Sequence, residues 1–90
     1  MQAIDGDVRL FIVDNFLFGN GEKDIAEDES FLDRGIIDST GVLELVAFLE
    51  RTYGIEVEDE ELVPDNLDSI RKVTAYVERK LAERREDRAA

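Results

Sequence analysis

Ninety residues carrying a net charge of −12 read as one domain over 1–90, large enough for a single core and little else. An apolar fraction of 43% is enough for folding, so the 38% of charged residues does not imply disorder. With no Cys and no His the chain cannot build a disulfide, a thiolate nucleophile, a zinc-thiolate site or a Ser-His-Asp relay, and a stand-alone enzyme is not expected.

The opening MQAIDGD has neither the basic flank nor the apolar run of a secretory signal, and no segment is long enough to span a membrane. A cytoplasmic monomer is therefore expected. Its negative charge would repel nucleic acid and anionic lipid and would steer basic protein surfaces toward it.

The periodicity is helical throughout, with no sustained alternation of the kind strands show. In chain order, Ile4, Val8, Phe11, Ile12 and Phe16 mark a first helix that Gly19 and Gly21 should close. Residues 19–37 form a long connection, which Phe31, Leu32, Ile36 and Ile37 could pack down over the rest. A second helix starts near Asp38-Ser39, carries Val42, Leu45, Leu49 and Tyr53 on one side, and stops at Gly54. Asp59 to Val63 reads as one short helical turn before Pro64. The last helix starts near Asp68-Ser69, either of which could cap it, and buries Ile70, Val73, Val77 and Leu81. Residues 82–90 lack an apolar stripe and read as a frayed tail. The sum is an all-α fold: a small antiparallel four-helix bundle of three main helices and a short one, with a long first loop.

Charge is distributed unevenly along this frame. Ten acidic residues lie between Asp38 and Ile70, with Arg51 the sole base, while Arg79, Lys80, Arg84, Arg85 and Arg88 gather near the end. The second helix also has more apolar residues than one stripe needs: Leu43, Val46, Ala47 and Phe48 in addition to the four above. Val46 and Ala47, set beside Glu44 and Glu50, would make an apolar spot with an acidic rim, suited to brief, charge-guided docking. All of them could equally belong to the core. The acidic run itself is no calcium loop, because the D-x-D-x-D-G pattern is absent.

The pair Asp38-Ser39 admits two readings. Either side chain can serve as a plain helix cap, although the Glu or Gln of a capping box is missing where Gly41 and Val42 stand. Alternatively the Ser39 hydroxyl is displayed for chemistry. A helix N-terminus favours negative charge, so a phosphate ester on that oxygen would be well placed, and Asp38 could offer a hard oxygen to a divalent cation in a partner's site.

The run FLDRGIIDSTGVLELVAFLERTYGIEVEDEEL resembles the acyl carrier proteins, and the likeness extends over roughly residues 4 to 80. It rests on the apolar pair Phe31-Leu32, the G-x-x-D-S signature, the following helix with E-L-V, the Y-G-I-E-V turn and the acidic short helix. The resemblance implies a covalent 4'-phosphopantetheine on Ser39, donated from coenzyme A by a phosphopantetheinyl transferase, with Asp38 taking part in metal-assisted transfer. The arm's thiol would hold an acyl group as a thioester, which accords with a chain that has no Cys of its own. Further partners implied are an acyl-loading ligase or acyltransferase and downstream acyl-using enzymes with basic docking patches. These would meet Thr40, Glu44, Val46, Ala47, Glu50, Asp59, Glu60 and Glu61. Fatty-acid carriers usually have Leu after the Ser, whereas this chain has Thr40 and then Gly41. That departure puts the usual fatty-acid-synthesis partners in question, and a carrier dedicated to another pathway fits at least as well. An aminoacyl or peptidyl carrier, and an unmodified acidic interaction module, are the alternatives.

Overall fold

The computed structural model describes residues 4–17 and 25–89. All regular structure among them is helical: α1 (Ile4–Ile12), a π-turn (Val13–Leu17), α2 (Ser39–Tyr53), a 3-10 turn (Asp59–Glu61), α3 (Pro64–Leu67) and α4 (Ile70–Ala89). No helix among these residues is long and apolar enough to cross a membrane. The expected closure of the first helix at Gly19 and Gly21 lies outside the described residues.

α1 forms because Val8 and Ile12, four apart, face the core, and because Asp5 and Asp7 lie in its first turn, where the exposed N–H groups favour negative charge. The π-turn that follows changes the winding and carries Phe16 up to the first turn of α2. The rings of Phe11 and Phe16 meet edge to face at 5.9 Å, and Phe11 stacks on Phe48 at 4.3 Å, which joins α1 to α2.

α2 behaves as its periodicity requires, burying Leu45, Leu49 and Tyr53. Gly54 ends it at φ 67°, a left-handed conformation that glycine adopts without strain, and its N–H is donated to the Glu50 carbonyl. α4 is the spine against which α1, α2 and α3 pack. It starts from a fully buried Ile70, with Val73 and Val77 on the same stripe, and the Ser69 hydroxyl accepts the Lys72 N–H at 3.1 Å.

The segment around Pro64 differs from expectation. Asp59–Glu61 makes a 3-10 turn only, and a further short helix, α3, begins at Pro64 itself. A proline at the first helical position loses no hydrogen bond and has its φ already set, so Pro64 starts a helix here and does not terminate one. The far end of α4 differs too, since helical backbone continues to Ala89, well past the end of the apolar stripe at Leu81. Ala, Glu and Arg dominate that stretch and favour helix without packing.

The long first loop is pinned at several points. Ile25, Phe31 and Ile37 are buried, Ile36 is half-buried, and Leu32, expected to pack down, stays exposed. The Arg9 guanidinium donates to the Ile25 carbonyl, and the Arg71 N–H donates to the Glu27 carbonyl at 2.8 Å.

Two tyrosines bolt helices together through carboxylates: the Tyr53 hydroxyl donates to Asp7 and the Tyr76 hydroxyl to Glu61, each at 3.0 Å. Burial first, and then the adjacent carboxylate, pushes both phenols well above their ordinary range. A raised pKa in the fold means that this contribution is present below the ordinary phenol value and lost as pH rises through the folded one. Absorbance titration of tyrosinate should therefore show no step near pH ~10, the free-phenol value. Both tyrosines should ionise later, together with loss of helical circular dichroism. A step at the free value would show that these bonds do not persist in solution.

Candidate functional site

The N-terminus of α2 is where the acidic, apolar and hydroxyl-bearing parts of the chain converge. Asp38 is the N-cap: its backbone is extended, and its Oδ1 accepts the Gly41 N–H at 2.8 Å. Ser39 is the first residue of the helix, exposed, and none of the described residues hydrogen-bonds its hydroxyl. The two readings of the Asp-Ser pair thus separate, because the capping is done by Asp38 and the hydroxyl is left over.

Beside Ser39 opens a cavity of about 340 Å³. One wall is the loop, with Phe31, Leu32 and Ile37; a second is α2, with Val42 and Leu43; the third comprises Leu62, Val63, Pro64 and Leu67. Its mouth is apolar in an unusual way for a chain this charged. Leu32, Leu43 and Val63 are 52%, 59% and 40% exposed, three of the four large hydrophobic side chains left open among the described residues. Sequence reasoning missed this collar, since each member sits in a different element and no period links them. Exposed carboxylates lie near it in the chain: Asp33 follows Leu32, Glu44 follows Leu43, and Asp65 is two residues after Val63.

The residues singled out from sequence divide into two groups. Thr40, Glu44, Ala47, Asp59 and Glu60 are exposed. Val46 is half-buried against the core, so only part of it is available. Glu50 and Glu61 are occupied within the fold. Glu50 Oε2 accepts the Val57 N–H at 3.0 Å, and Glu61 Oε1 accepts from the Glu58 N–H, the Tyr76 hydroxyl and the Lys80 ammonium, each at 3.0 Å. The Glu58 N–H foremost, with Lys80 and Tyr76 adding to it against a cost of burial, holds the Glu61 carboxyl below the usual carboxylate range. The same bond raises Lys80. The acidic rim is therefore smaller than the sequence implied.

Gly41 explains part of the D-S-T-G wording. A Cβ there would lie 2.8 Å from the Phe16 ring and 3.0 Å from the Ile37 side chain. The glycine lets Phe16 close over the base of α2 directly below the site. Gly41→Ala gains helix propensity but must displace the ring, and the steric term should win. Destabilisation of about 1 kcal/mol is expected in urea unfolding, at the low end for overpacked cores. A gain in stability would mean that Phe16 is not seated there.

The family model described as "Phosphopantetheine attachment site" matches residues 17–77, well over half of the chain. This chain belongs to the phosphopantetheine-attachment family. It is a carrier protein, and the prosthetic group that goes with the family is a covalent 4'-phosphopantetheine. Among similar proteins are the D-alanyl carrier proteins of Streptococcus pyogenes serotype M5 (strain Manfredo), serotype M49 (strain NZ131) and serotype M1. Each is 36% identical over 58 residues, which cover 62% of this chain and 73% of the relative. The site fits a carrier's needs on its own geometry. An uncommitted hydroxyl stands at a helix N-terminus where a phosphodiester is electrostatically favoured, beside an apolar recess.

Proposed function

We propose that this carrier is esterified on Ser39 and serves a dedicated pathway that handles a small carboxylic or amino acid, not primary fatty-acid synthesis. One observation carries the reading: Asp38 satisfies the helix N-terminus, so the exposed Ser39 hydroxyl, inside the matched span, has no structural duty. Likeness to D-alanyl carriers supports the cargo class, as does the small polar Thr40 where fatty-acid carriers usually hold Leu.

The roles of the chain's own residues follow. Ser39 supplies the oxygen for the phosphodiester. Asp38 keeps Oδ2 for a divalent cation brought by the transferase while Oδ1 caps the helix. Leu32, Leu43 and Val63 give partners an apolar seat. The exposed Glu44, Asp59 and Glu60 supply carboxylates that orient basic patches, and the exposed Thr40 and Ala47 offer partners small side chains on α2. When bound, the arm supplies a thiol that holds the cargo as a thioester. The protein itself lowers no barrier; it raises the cargo's effective concentration at each active site it visits. We read it as a cytoplasmic monomer that meets a transferase, a loading ligase and a consuming enzyme in turn.

The cavity favours a second reading of the cargo, a short alkyl chain, since each methylene buried there is worth about 0.8 kcal/mol. One experiment tests both. A broad-specificity transferase with coenzyme A should add one arm, seen as a single mass increment. With D-alanyl- or octanoyl-coenzyme A as donors, the methyl signals of Val42, Leu62 and Val63 report whether the cargo enters. No addition to well-folded protein overturns the proposal. Shifts with octanoyl alone select the alkyl reading, and no shifts with either place the cargo outside.

A further inference from the structure

Glu61 sits at the centre of a polar knot. Beyond the three bonds to its Oε1, its carbonyl accepts Asn66 Nδ2 at 3.0 Å, and Asn66 Oδ1 in turn accepts from Arg79 at 2.9 Å. The Arg79 guanidinium lies 5.8 Å from the centre of the Tyr76 ring. Through its carboxylate and its carbonyl, Glu61 thus ties the 3-10 turn and α3 to one face of α4, where Tyr76, Arg79 and Lys80 lie three and four residues apart.

That fastening matters because little else holds the turn. Asp59–Glu61 has no buried residue, and Leu62 is only half-buried against the core. The same stretch provides the third cavity wall through Leu62, Val63 and Pro64. The opposite wall, the loop at Phe31-Leu32, is tied separately to Asp68. Release of the Glu61 knot would therefore loosen one wall while the other stays in place.

We infer that Glu61 is a positioning residue that, through Tyr76 and Lys80, holds the 58–64 wall of the cavity beside Ser39, and is not a free docking carboxylate. Asp59 and Glu60, exposed and with no side-chain bond in this knot, are the acids left for partners. This deepens the carrier reading and rests on it for its functional meaning, but its test does not need the arm.

The measurement is amide hydrogen exchange, by NMR at neutral pH, on the full unmodified chain. The reporters are the N–H groups of Leu62, Asn66, Leu67 and Asp68, all hydrogen-bonded within the segment. Lys80→Met should accelerate them by about tenfold, the effect of losing one charge-assisted bond, and Glu61→Ala, which loses three bonds, should accelerate them more. The amides of Leu45 and Leu49 in α2 should keep their rates. Glu61→Gln, which retains an acceptor for Tyr76 and Glu58, should fall between wild type and Glu61→Ala. Glu60→Ala removes an equal charge one residue away and should change nothing. The inference is overturned by unchanged reporters in Glu61→Ala, by equal acceleration of Leu45 and Leu49, or by a Glu60→Ala effect as large as that of Glu61→Ala. Failure here with Ser39 still modified by the transferase leaves the carrier reading standing. Failure of modification with these rates as expected removes the carrier reading and leaves the knot.

Discussion

Ser39→Ala is expected to abolish phosphopantetheine addition completely while leaving the fold as stable as before, within about 0.5 kcal/mol. The adjacent Asp38→Ala should do the reverse in stability, costing about 1 kcal/mol because it removes the acceptor for the Gly41 N–H. Paired in this way, the two substitutions separate an anchor from a cap, which the dipeptide alone cannot do. Mass spectrometry after incubation with transferase and coenzyme A reads the first effect, and urea unfolding reads the second. Asp38→Ala should also slow modification, since its hydroxyl neighbour remains but the oxygen offered to the transferase's cation is gone. Asp38→Asn helps to divide these effects, because Asn caps as well as Asp. It should restore stability and leave modification slow. The proposal fails if Ser39→Ala loses about 1 kcal/mol while mass addition persists, for then residue 39 would be a stitch in the helix and the ester would be elsewhere.

How far the sequence foretells this site depends on the range of the interactions involved. α2 was legible because its determinants are local: Val42, Leu45, Leu49 and Tyr53 repeat at helical spacing, and Gly54 stops the run. Ser39 was legible as a candidate through the family resemblance, but its freedom was not, since that depended on Asp38 taking the cap. Pro64 misled because one residue type can end a helix or begin one, and only the following Leu67, buried against α4, decides which. Glu50 and Glu61 read as surface acids because nothing local reveals that Val57, Tyr76 and Lys80 return to meet them. The collar of Leu32, Leu43 and Val63 was invisible for the same reason, as its members meet only after the loop, α2 and the 3-10 segment have folded together.

Asp68 shows how much of the site depends on such a long-range contact. It lies just before α4 and binds the loop more than thirty residues upstream with both its side chain and its backbone. Oδ2 accepts the Ser30 hydroxyl at 2.5 Å, Oδ1 accepts the Leu32 N–H at 3.0 Å, and its carbonyl accepts the Phe31 N–H at 2.8 Å. Asp68→Ala keeps only the last of these. A bond to a charged group is worth about 1.5–3 kcal/mol, and two are lost, but the loop can relax toward water. A net destabilisation of about 2–3 kcal/mol is therefore expected in urea unfolding. Local effects should exceed the global one: Leu32 would no longer be held at the mouth, and Phe31, fully buried now, would lose its lateral tether. Asp68→Asn is the informative companion, because its amide oxygen can still accept the Leu32 N–H, while its NH₂ can donate to the Ser30 oxygen if that hydroxyl turns away. About half of the lost stability should return. If instead Asp68→Ala unfolds like wild type, the loop is not fastened there, the cavity beside Ser39 has no fixed first wall, and a collar built on Leu32 cannot seat a partner.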